Sequence, residues 1–90
     1  MHPALMSAAK KPWAALLDHA RALLAEAELA DRRADTLALS ALKMQAEGDP
    51  CRAEAMWYTC RKIRVQALLG RGRSAAAAAR AATEAGRGSR

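Results

Sequence analysis

The sequence predicts an all-α protein, a helical hairpin or three-helix bundle over residues 12–69, followed by a basic, mobile C-terminal tail. Three observations predict it. Apolar residues recur at alternating steps of three and four from Trp13 to Met44. No glycine or proline interrupts the chain from Trp13 to Glu47. The tetrapeptide Glu47-Gly48-Asp49-Pro50 then supplies a complete stop-and-restart signal.

Residues 1–11 read as a flexible N-terminus, with Met6 as an alternative translation start. Pro12 suits the first turn of a helix, where its missing N–H costs nothing. Beyond it runs the heptad stripe Trp13, Leu16, Ala20, Leu23, Ala27, Ala30, Ala34, Leu37, Ala41, Met44. One heptad position is always alanine (Ala20, Ala27, Ala34, Ala41), while the other is mostly large. Small residues on one seam position let a second helix come close. A break near Asp35 or Thr36, either of which suits a helix N-cap, competes with a single long helix.

Gly48 fits the left-handed residue that ends a helix, Asp49 the cap of the next, and Pro50 its first position. The second helix is expected from Cys51 to Leu69, with the stripe Ala53, Met56, Cys60, Ile63, Ala67 and with Trp57 beside it. Gly70-Arg71-Gly72-Arg73 reads as a linker. Residues 74–90 read as a low-complexity tail in which Ser74 caps a short alanine helix, marginal by itself in water.

Composition narrows the chemistry. Ninety residues make one domain, too small to enclose a deep, water-excluded catalytic pocket. Alanine fills 25 positions, so the 52% apolar fraction overstates the burial on offer. Arginine outnumbers lysine 11 to 4, and phenylalanine and asparagine are absent, the bias a GC-rich bacterial genome imposes on any chain. His19 has no partner on its own helix face, no nucleophile elbow or phosphate-cradling glycine loop occurs, and no set of ligands has zinc spacing. The expectation is therefore a non-enzyme without metal or cofactor. Cys51 and Cys60 lie on opposite sides of a helix and read as reduced thiols of a cytoplasmic protein, an interchain disulfide through Cys51 staying open. No apolar run is long enough to span a membrane.

Charge is uneven. The formal net charge is +6, with −1 over residues 1–50 and +7 over residues 51–90. Arg61, Lys62, Arg64, Arg71 and Arg73 form a run of five cations without an acid, a candidate contact for nucleic-acid phosphates that carries no base information.

The stretch 38–67, through Gly48, Asp49, Trp57 and Ile63, resembles short uncharacterised all-helical bacterial proteins, notably alphaproteobacterial ones. They share a helix, a Gly-Asp turn and a following helix with Trp then Ile or Val. Pro50 and the basic tail depart from that pattern. The resemblance implies a small helical domain and transfers no catalytic residue.

Three functional expectations follow. The first is an interaction or accessory protein that self-associates or docks a helical partner through the seam Trp13, Leu16, Ala20, Leu23, Ala27, Leu37, Ala41, Met44, Met56, Trp57, Cys60 and Ile63. It rests on an alanine-rich stripe that buries little, and on a 19-residue second helix that covers about half of a long first one. The second is a nonspecific nucleic-acid binder, and the third a small regulator of another enzyme.

Overall fold

The computed structural model describes residues 11–88 as two helices, Pro12–Ala46 (α1, 35 residues) and Pro50–Gly88 (α2, 39 residues). Pro12 takes the start of α1, where the Lys11 carbonyl accepts from the Ala14 amide at 3.0 Å. The helix does not break at Asp35 or Thr36. The Thr36 hydroxyl donates back to the Arg32 carbonyl at 3.2 Å, a bond compatible with a helix interior, and Asp35 turns toward α2 instead of capping.

The turn follows the sequence closely. Gly48 adopts φ 83°, the conformation that costs a residue with a Cβ, and its amide donates to the Gln45 carbonyl while the Asp49 amide donates to the Met44 carbonyl. These two bonds satisfy carbonyls that the end of α1 leaves open. Asp49 then accepts from the Arg52 amide at 3.2 Å and caps α2, with Pro50 as its first residue. The chain reverses within three residues, so the helices run antiparallel.

α2 differs from expectation at its far end. It continues through Gly70, Gly72 and Ser74 to Gly88, so the expected linker and the separate alanine helix are parts of one helix. The reason is tertiary. Gly70 packs so near α1 that an added Cβ would lie 3.3 Å from the Ala27 Cβ. Ser74 is buried and donates from Oγ to the Ala20 carbonyl of α1 at 2.7 Å, instead of capping a new helix. These contacts offset the roughly 1 kcal/mol that each glycine costs a helix. Of the N-terminal segment expected to be flexible, residues 1–10 lie outside the described residues.

The seam is built from small residues alone. At a strict seven-residue repeat α1 buries Ala20, Ala27, Ala34 and Ala41, and α2 buries Ala53, Cys60, Ala67, Ser74 and Ala81; Ala77 is buried as well, off that repeat. The Cys60 thiol meets the Ala34 carbonyl at 3.3 Å. A thiol or hydroxyl one bond beyond Cβ reaches the facing backbone only where two helices approach closely. The two bonds also set the register, which places Ala41 opposite Ala53, Ala34 opposite Cys60, Ala27 opposite Ala67 and Ala20 opposite Ser74. Because α2 matches α1 in length, the seam is covered from end to end and no half of it awaits another helix.

Close approach makes seam volume the sensitive quantity. Gly72 has nothing within 4 Å of an added Cβ, so Gly72→Ala should stabilise the hairpin by about 0.5–1 kcal/mol through helix propensity. Gly70→Ala gains the same propensity but compresses its methyl against Ala27, and should yield clearly less. Urea titrations of both variants check the order; equal gains would show that the helices are further apart than described.

Candidate interaction surface

The heptad that buries the alanines puts larger residues on either side of them, and the two flanks differ in chemistry. Flank one, in α1, carries Leu16, Leu23, Ala30, Leu37 and Met44. Its counterpart in α2 carries Met56, Ile63, Gly70 and Ala77. The large members are half-buried, and no charged residue interrupts the stripe between Leu16 and Met44. By the register of the seam, large faces small along most of this flank: Ile63 lies across from Ala30, Leu23 from Gly70 and Leu16 from Ala77. At Ala30 and Gly70 the row of side chains drops away, leaving a groove of about 460 Å³ floored by Ala27, Ala30 and Gly70. Leu23 and Leu69 wall it, and Glu26 and Arg73 stand on its opposite rims.

Flank two is charged at its middle. Asp31 holds Arg71 through a carboxylate–guanidinium hydrogen bond and lies 3.9 Å from Arg64, while Arg64 bonds Asp35 at 2.9 Å. The hydrogen bond that Arg64 donates to Asp35 raises its guanidinium above the usual arginine range, and the one that Arg71 donates to Asp31 does the same for Arg71. These pairs tie α1 to α2 across the seam. Trp57, on the same flank, is half-buried.

This arrangement redistributes the residues singled out from the sequence. Ala20, Ala27, Ala41 and Cys60, expected at an interface with a partner, are covered within the chain, the three alanines by α2 and Cys60 by α1. Trp13, Leu16, Leu23, Leu37, Met44, Met56, Trp57 and Ile63 stay half-exposed around it. The five cations expected to meet phosphates do not converge. Arg64 and Arg71 are engaged by Asp31 and Asp35, Lys62 lies 5.5 Å from the centroid of the Tyr58 ring, Arg61 is exposed on the outer side, and Arg73 borders the groove on the other flank. The run had no acid in sequence, but its acids come from α1.

Glu26 and Arg73 escaped the sequence reading because they lie 47 positions apart and each looks like an ordinary solvated charge. Their heptad positions, one step outward from Leu23 and Gly70, are the only signal that would have found them. His19 is exposed on α1, and Cys51 and Cys60 are both free thiols, one exposed and one buried. Among the described residues no group of three or more metal-ligating side chains gathers, and no helix is long and apolar enough to cross a membrane.

Fold and surface together define an antiparallel two-helix hairpin with a small-residue seam, one apolar flank and one charge-paired flank. Comparison of the chain with protein-family models, curated proteins and solved structures returns no match.

The paired flank gives a test of how the cations are held. Replacing both acids, Asp31→Ala with Asp35→Ala, should lower the melting temperature slightly at low salt and not at high salt, since exposed pairs are screened. The same variant frees Arg64 and Arg71 and should bind duplex DNA more tightly than the parent in a low-salt gel shift. Unchanged DNA affinity would mean that the pairs do not withhold these arginines.

Proposed function

We propose that the protein is a small non-enzymatic helical interaction module that acts by association, docking through its apolar flank. A single observation carries this reading: the molecule measures 63 × 30 × 12 Å, so it is one helix thick. Stable domains place at least two layers around a core. Here the buried apolar residues are eight alanines and Cys60, while Leu16, Leu23, Leu37, Met44, Met56 and Ile63 are left half-covered on one side. A second layer over that flank would complete their burial, at about 25 cal/mol per Å² of apolar surface. The docking surface is thus the flank of the seam and not the seam. The two free thiols support a reducing, cytoplasmic setting.

A nonspecific nucleic-acid role has less support, because two of the five candidate cations are neutralised within the chain. Docking onto an enzyme as its regulator uses the same flank and is one form of the proposed activity.

Circular dichroism of the isolated chain tests the reading. Helix content and melting temperature should fall as the protein is diluted through the micromolar range, because the hairpin depends on a second layer. A single chain that remains fully helical and melts cooperatively at high temperature on dilution overturns it.

A further inference from the structure

We infer that the second layer is another copy of this chain, stacked flank to flank about a two-fold axis parallel to the helices, so that two hairpins close into a four-helix bundle. The inference rests on the reading above and names its partner. Three features of the flank carry it.

Shape is the first. The two-fold lays α1 of one copy over α2 of the other at the same level. Large and small already oppose each other within one hairpin, so the rotation seats large residues on small ones between copies. Leu23 then fills the gap over Gly70 of the second copy, and Ile63 covers Ala30 of the second copy. Alternating large and small residues across facing positions is how bundle layers interdigitate. Only the level of Leu37 and Met56 is large on both helices, and methionine adapts its shape readily.

Charge is the second. Glu26 and Arg73 stand on opposite rims of the groove, and neither has a hydrogen bond or ion pair among the described residues. The same rotation brings Glu26 of each copy alongside Arg73 of the other, twice per dimer. The flank is therefore complementary to itself in charge as well as in shape, which an isologous contact requires.

Area is the third. Two helices of about 35 residues present a flank about 50 Å long and about 20 Å wide, or roughly 2,000 Å² for two copies together. That reaches the range buried by obligate homodimers. A lone partner helix covers about half of this flank, whereas a second hairpin matches it in length and width.

Light scattering on the eluting full-length chain at micromolar concentration should give twice the 9.6 kDa of one copy. Glu26→Arg and Arg73→Glu, made separately, should each weaken dimerisation about ten-fold without loss of helix at high concentration. Mixing the two variants should restore it, because each mixed dimer regains two opposite-charge contacts that no single chain contains. Ile63→Glu should give a monomer, and Leu39→Glu, on the outer surface where Leu39 is 69% exposed, should not. A mixture no tighter than either variant alone overturns the stacking. A wild-type chain of single mass that is poorly helical overturns the second copy as partner and leaves the interaction module standing. A wild-type chain of single mass that is fully helical and heat-resistant overturns both.

Discussion

Everything in this hairpin follows from how near its two backbones come. A small residue at every seventh position of both helices removes the side-chain layer that ordinarily separates packed helices. Bonds from Cys60 and Ser74 to backbone carbonyls of the facing helix are the consequence. Close approach fixes the register firmly, since Gly70, Ala27 and Ala34 leave no room for a shifted pairing. It also sets what the molecule lacks. A seam of alanines buries few methyl groups, so the apolar mass is displaced to the flanks. There it meets water on one side.

The same register organises the electrostatics. Asp31 and Asp35 are one helical turn apart on α1, and Arg64 and Arg71 are two turns apart on α2. Only an antiparallel match at this register brings all four onto one flank. The strongly basic second half of the sequence is thus partly answered by the acidic first half, over a distance short enough for direct pairing. What remains uncompensated on α2 is divided between faces, with Arg61 on one and Arg73 and Arg80, seven residues apart, on another. Distributed charge of this kind favours solubility and gives weak, salt-sensitive attraction to anions in place of a defined phosphate site.

The seven-residue alanine repeat and the Glu47–Pro50 turn were legible because each has a local physical cause: a helical period and a set of backbone conformations. The end of α2 was not, because local and tertiary preferences oppose each other there. Two glycines and a serine favour a linker and a cap when only neighbours in sequence are weighed. The repeat from Ala53 through Cys60 and Ala67 nevertheless continues through Ser74 to Ala81, and that long-range regularity decides the structure. The surface was half legible for a related reason. Periodicity identified Leu16, Leu23, Leu37, Met44, Met56 and Ile63 as apolar-facing. It left open which heptad position closes the hairpin and which lies open, since that depends on the size of the residues facing them from the other helix. Once the alanines are known to meet α2, the larger residues become the exposed set.

Gly70 shows why seam and surface cannot be separated. Toward α1, the absence of a side chain lets the helix backbones meet at Ala27. Toward the flank, the same absence leaves the floor of the groove between Leu23 and Leu69 open. A residue selected only for close packing inside a hairpin would be alanine, as at most positions of the adjoining seam, because alanine costs a helix about 1 kcal/mol less than glycine. The added cost at Gly70 is matched by the depth of the notch that it opens. A leucine seated in that notch is covered on all sides, whereas on a flat flank it would be covered on one. The position therefore links the internal fit of the two helices to the shape they present outward, and the apolar flank is as much a product of the register as the seam itself.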